Sequence, residues 1–440
     1  MTIPVDNLYH WIESITSHPL ILYVFQPHGS KDIFDLTLFK NTRYFRSFTP
    51  GVICHDQEPL DFNNHKFTYD PNRIEQVCEH WSFDQDDIDE ILVVYSDLAE
   101  FPNLKTNYLK LITGYSDWSI LLHSEKNSQD VLDFSQAGFI PVYYWSHAVI
   151  ARDWYRFAEH DARLEQKNIE KTFLVYCRDW TPNREYRLKF LDLLVQGGLR
   201  DDCVISTQHV NNRGVHLRDY QVQDTRFLFD ADRLLTIPDN TTSSTASAEY
   251  DITDLTSTAV SVVLETVVDT DKIHLTEKIL RPIACGHAFL LAAGPGALAY
   301  LRSYGFRTFN AVFDESYDAE TDCVKRLEMI VNAMQKIKHL NDHDWREIQK
   351  IVDHNKQHFF SKEFSNQIKQ ELAHNLDQAV EFCLANQGEF YWQSRKLLRR
   401  LGLINQWPSL KNDQSKKSIQ HLRKHRSRRF QNSSIPVVRQ

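Results

Sequence analysis

Short apolar runs recur along the chain, and polar stretches with helical spacing separate them. In the first third, 20–26 (LILYVFQ), 51–55, 91–96 (ILVVYS), 118–123 (WSILLH) and 140–145 read as buried strands. Between the last two, 128–138 reads as a short helix closed by Gly138. A charged, amphipathic stretch over 151–171 leads into a second run of alternating elements. There, 171–178 (KTFLVYCR) predicts a strand, and 184–195 a helix with Leu188, Leu191, Leu194 and Val195 on one side. Gly197 and Gly198 stop that helix, and 202–207 predicts the next strand. The small-residue stretch 241–248 (TTSSTASA) predicts a mobile loop.

The stretch 260–309 carries the strongest pattern. A β-branched run ends in Glu265, a short acidic loop with Asp269 and Asp271 follows, and Thr276-Glu277-Lys278 starts a helix. A second apolar run from Phe289, a Gly294-Pro295-Gly296 turn and another helix complete two strand-to-helix units. Such units build parallel sheets, and ligands of parallel sheets sit at the carboxyl ends of the strands. Glu265, Glu277 and Lys278 fall at those ends. Farther on, 326–358 keeps a helical period through Leu327, Ile330, Val331, Met334, Ile337 and Leu340, and further helices are expected to about residue 403.

A chain of 440 residues exceeds one comfortable core. The predicted fold class is α/β, with two Rossmann-like domains facing a cleft and C-terminal helices. The expected boundaries are 1–165, 166–325, a helical segment over 326–405, and a basic, disordered tail over 406–440. The net charge of −9 argues against a general coat for nucleic acid, but the charge is unevenly spread. Eight Lys/Arg between Lys411 and Arg429 face a single acid, Asp413, and suit contact with nucleic acid or another anionic surface. Seven scattered cysteines without a C-x-x-C pair suggest buried, reduced thiols. No basic segment followed by an apolar core opens the chain, and no transmembrane segment is expected, so a cytoplasmic location follows as an expectation. With 13 glycines, the chain has under half the usual ~7%.

The residue types suit a nucleotide-bearing ligand. A diphosphate needs cations or aligned backbone N–H groups, and sugar hydroxyls need carboxylate acceptors. Glu277 and Lys278 supply both at one helix start, with Arg184 and Arg187 as further cations from the preceding unit. Spacing alone also fits a plain helix cap at Thr276. The D-x-D pairs Asp269/Asp271 and Asp230/Asp232 arise readily by chance in an acidic chain, so metal ligation is not expected. The histidine pairs His339/His343 and His354/His358 read as solvated helix faces rather than zinc ligands.

The segment from Ser261 to Leu291 resembles the donor-binding motif of the α-1,3-fucosyltransferase family, with its strand ending in glutamate, its polar loop and its Thr-Glu-Lys helix start. The run Tyr176-Cys177-Arg178 through Arg184 and Tyr186 to Leu191 is similar to the family's Asn-Cys…Arg-x-x-Tyr…Leu segment. Ile53 to Pro59 resembles the position of its catalytic glutamate. Thr266, Val267 and Tyr176 depart from the family's polar residues. The resemblance implies the two-Rossmann-domain (GT-B) glycosyltransferase fold and a nucleotide-sugar donor as substrate, with no cofactor or metal. The acceptor would be a glycan or other hydroxyl compound, and the displacement inverting. It implies Glu58 as general base, with Asp56 and His55 as alternatives. Arg184 would contact the diphosphate, Glu265 the donor sugar, and Glu277 and Lys278 the ribose or sugar and the phosphates. Two other functions stay open: a glycosyltransferase acting on DNA or another polyanion, and a non-catalytic protein that keeps the fold.

Overall fold

The computed structural model describes residues 119–400, apart from 137–138, 181–183, 212 and 241–246, together with the strands at 21–24 and 51–54. For 21–24, 51–54, residue 119 and 383–400 the description extends to the backbone alone. The expected strand at 91–96, the loop at 241–246, Glu58 with its neighbours, and the basic tail lie outside the described residues.

Two four-stranded parallel sheets organise the chain. The first holds β1 (Ile21–Val24), β2 (Gly51–Cys54), β3 (Ser119–His123) and β4 (Phe139–Tyr143) in sequential order. Ile21 pairs with Gly51, Gly51 with Ser119 and Ser119 with Phe139, so the strands start level. Helix α1 (Gln129–Gln136) links β3 to β4, and α2 (Ser146–Trp154) follows. The second sheet holds β5 (Lys171–Cys177), β6 (Cys203–Thr207), β7 (Thr258–Leu264) and β8 (Ala288–Ala292) in the order β6-β5-β7-β8. β8 (AFLLA) is wholly apolar, and β7 (TAVSVVL) is apolar or β-branched but for Ser261, as strands covered on both faces require. Every residue of β8 is buried. The protein is thus an α/β protein of parallel sheets and flanking helices.

In the second sheet α3 (Tyr186–Gln196) follows β5, while α4 (Ala231–Leu234) and α5 (Ile252–Ser257) lie between β6 and β7. Helix α6 (Glu277–Ala284) joins β7 to β8, and α7 (Ala297–Ser303) follows β8. Short polar side chains start several of these helices. Asp230, Asp251 and Thr276 each accept a backbone N–H of the first turn of α4, α5 and α6. Thr276 therefore is a cap, and α6 starts at Glu277 and carries Pro282 inside it.

The long helical period after 323 is cut in two. Helix α8 (Cys323–Ile337) ends, and α9 (Asp342–Phe360) restarts on a reciprocal capping box between Asn341 and Asp344. Helix α10 (Lys362–Arg400) buries Phe364, Ile368, Leu372, Leu376 and Val380, a stripe at four-residue spacing. The helix packs against β4 of the first sheet and against α9. One continuous apolar core joins both sheets, from Ile120 and Val142 to Phe173, Val260 and Leu290. Cys177, Cys203, Cys285 and Cys323 are buried free thiols within it. Among the described residues no helix is long and apolar enough to cross a membrane.

Candidate functional site

β5 lies between β6 and β7. The chain leaves β5 towards one neighbour and later builds β7 and β8 on the other side. Right-handed crossovers in opposite directions place α3 and α6 on opposite faces of the sheet. The loops leaving β5 and β7 therefore diverge, and a crevice opens at the carboxyl ends of these two strands. A cavity of about 350 Å³ occupies that position.

Its wall beside the strand ends is cationic. Arg178 directly follows β5, Arg184 and Arg187 stand at the start of α3, and Lys278 and Arg281 project from α6. Each has a partner. Arg184 pairs with the Asp179 carboxylate. Arg281 lies with its guanidinium carbon 4.5 Å from the Tyr176 ring centroid. Lys278 donates through Nζ to Glu277 Oε1 at 2.9 Å and to Thr276 Oγ1 at 3.2 Å. Burial lowers the Arg178 guanidinium below its ordinary value; Asp179 opposes this and the neighbouring Arg184 charge adds to it. Guanidinium groups crowded in this way favour an anion between them.

Arg187 has a different task. Buried, it donates from one terminal nitrogen to Leu264 O at 2.8 Å and Glu265 O at 3.1 Å. The other terminal nitrogen donates to Asp179 O at 2.5 Å. It thereby clamps the ends of β5 and β7 together and fixes the floor of the crevice. Glu249, Asp251 and Asp254 also line the cavity. Tyr176 donates its hydroxyl to Asp254 Oδ2 at 2.7 Å. Burial raises the Asp254 carboxyl, and the Tyr176 hydrogen bond works against that rise.

Glu265 and Glu277 part company. Glu265 has no exposed surface and spends its carboxylate inside the protein. It accepts from the Thr276 amide at 3.0 Å, the Thr276 hydroxyl at 2.6 Å and the Thr266 amide at 3.3 Å. It is the tie between β7 and the first turn of α6, and it stands behind the cavity wall. Glu277 does line the cavity. Burial by itself would raise its carboxyl, but Lys278 and His147 outweigh this and hold it well below the ordinary value.

The structure therefore brings Arg184, Glu277 and Lys278 to one cavity, with Glu265 supporting them. Arg178 and Arg281 join them. Arg178 is the first residue past the end of β5, and Arg281 stands one helical turn from Lys278; both positions are legible as spacing. Three of the four D-x-D acids are engaged elsewhere. Asp230 caps α4, Asp232 pairs with Arg218, and Asp269 pairs with Arg226. His339 and His343 are exposed, while His354 and His358 are half-buried. Just past α7, Nε2 of His354 donates to Gly305 O at 3.1 Å and Nε2 of His358 to Tyr304 O at 2.6 Å.

The two sheets meet beside this site. Lys126, past β3, and Ile273, past β7, form a two-way backbone bridge. Lys272 pairs there with Glu125 at 3.1 Å and with Asp130 at 2.7 Å. Comparison of the chain with protein-family models, curated proteins and solved structures finds no match.

Proposed function

We propose that the protein is a glycosyltransferase that moves a sugar from a nucleotide-sugar donor to a hydroxyl acceptor. The observation that carries this reading is the meeting of Arg178, Arg184 and Lys278 with the Glu277 carboxylate in one cavity where the strand order reverses. Cations there suit a diphosphate, and a carboxylate beside them suits ribose or sugar hydroxyls. The reading assigns residues 1–165 and 166–325 to two Rossmann-like domains, the second holding the donor. The contact between loops that leave the carboxyl ends of β3 and β7 agrees with a cleft between them.

In the proposed reaction the acceptor hydroxyl loses its proton to a carboxylate, for which the sequence resemblance nominates Glu58. The acceptor oxygen bonds to the anomeric carbon, and the bond from that carbon to the phosphate oxygen breaks. The nucleoside diphosphate leaves with the electron pair, its growing charge balanced by Arg178, Arg184 and Lys278. Incubation of the protein with a panel of nucleotide sugars and a mixed glycan acceptor pool tests this. Release of nucleoside diphosphate from one donor is expected, reduced about a hundredfold or more in Glu58→Gln. No release from any donor overturns the reading in favour of a non-catalytic protein. Release undiminished by Glu58→Gln moves the base to Asp56 or His55. Retention of the full chain, but not of a chain ending at Trp407, on DNA at low salt would direct the acceptor search to polyanions.

A further inference from the structure

Helix α2 belongs to the first sheet's half of the chain, yet its first residues grip the loop that delivers Glu277. Trp145 Nε1 donates to Leu275 O at 2.9 Å. The His147 ring stands edge-on to His274 at 5.3 Å between centroids, and His274 Nδ1 lies 3.2 Å from Ser124 Oγ past β3. His147 Nδ1 is 3.3 Å from Glu277 Oε2, at ion-pair distance but outside hydrogen-bond alignment. Neither ring nitrogen of this histidine has a hydrogen-bond partner, although the residue is only 1% exposed. A buried imidazole with both nitrogens unpaired is costly. The carboxylate 3.3 Å from its Nδ1 lines the cavity.

We infer that His147 is a positioning residue for Glu277, holding Oε2 while Lys278 holds Oε1, so that the carboxylate presents its remaining lone pairs to hydroxyl groups of a ligand. This inference rests on the nucleotide-sugar reading and adds a residue from the other half of the chain to the donor site. A carboxylate offers about four acceptor positions. Two anchors leave room for a ribose or sugar hydroxyl and restrict where that hydroxyl must sit. Ser124, His274 and Trp145 then keep His147 and the Glu277 loop in register.

A ligand with hydroxyls and a ligand without them separate positioning from general damage. Calorimetry on the full chain uses two probes, inorganic pyrophosphate and the nucleoside diphosphate of whichever base binds best. His147→Leu is expected to weaken the nucleoside diphosphate about tenfold, the loss of one charge-assisted contact, and to leave pyrophosphate within about threefold. In a Glu277→Gln background the same substitution should change neither probe appreciably. His147→Asn, whose amide nitrogen reaches about the place of Nδ1, should bind both probes within about threefold of the wild type. If His147→Leu does not fold, a tenfold loss of the nucleoside diphosphate in His147→Asn overturns the inference by itself. Equal weakening of both probes by His147→Leu, or no weakening, also overturns it. A wild type that binds neither probe overturns the nucleotide reading and takes the inference with it.

Discussion

The carboxylate of Glu265 holds Thr276 twice, through its amide at 3.0 Å and its hydroxyl at 2.6 Å. This ties the end of β7 to the cap of α6 and so sets where Glu277 and Lys278 emerge. Replacing it by glutamine turns one acceptor into a donor facing a donor. Glu265→Gln is expected to cost about 2–3 kcal/mol, the scale of bonds to a charged acceptor, in chemical denaturation. Weaker ligand affinity should accompany it as a consequence of the loosened α6 turn.

Arg187 supplies a second support. Without its guanidinium the carbonyls of Asp179 and Leu264 lose a buried donor, and that of Glu265 keeps the Tyr186 hydroxyl. Arg187→Met should destabilise the chain by about 3 kcal/mol or more, read from the denaturation midpoint at constant slope. Arg187→Lys should recover only part of this, because an ammonium cannot span both strand ends as the planar fork does.

His287 links β7 to β8. Its Nε2 faces the Thr258 carbonyl at 2.7 Å and therefore carries the proton, leaving Nδ1 to accept from Ser261 Oγ at 2.9 Å. Burial first, with the Lys167 charge adding to it, lowers this histidine from 6.5 to about 3. A base whose folded value is depressed binds its proton in the unfolded chain first. The stability it contributes is complete above pH 6.5 and is lost as pH falls from 6.5 towards 3. His123, also lowered to about 3 chiefly by burial, acts in the same direction. Replacing His287 by glutamine should flatten the acid limb of the stability curve by about 1.4 kcal/mol per pH unit in that window. An unchanged slope would place the proton uptake elsewhere.

Much of the fold was legible because it is written in local periodicity. The predicted strands at 118–123, 171–178 and 202–207 match β3, β5 and β6 within about one residue. The strand after Phe139 ended before Tyr144 and Trp145, whose apolar side chains continue the pattern after the sheet hydrogen bonds stop. The break between α8 and α9 was hidden because Leu340 keeps the helical period, while the stop comes from the Asn341 box. At the site, residue type and position along the strand ends revealed Lys278 and Arg184. The difference between Glu265 and Glu277 was not legible. Both are glutamates near a strand end, and what separates them is which distant groups fold onto each: Thr276 on one, His147 on the other.

The account's central claim is that the cations at the ends of β5 and β7 hold the diphosphate of a nucleotide sugar. Titration calorimetry of the wild type, Lys278→Ala and Arg184→Ala against a panel of nucleotide sugars tests it most directly. Each substitution also takes the counter-charge from a less exposed carboxylate, Glu277 or Asp179, so binding is compared at a temperature below both variants' unfolding midpoints. The account predicts that one nucleotide sugar binds the wild type, that each variant weakens it about tenfold or more, and that added salt weakens the wild type most. Binding by no member of the panel, or binding that both variants leave intact, would contradict it.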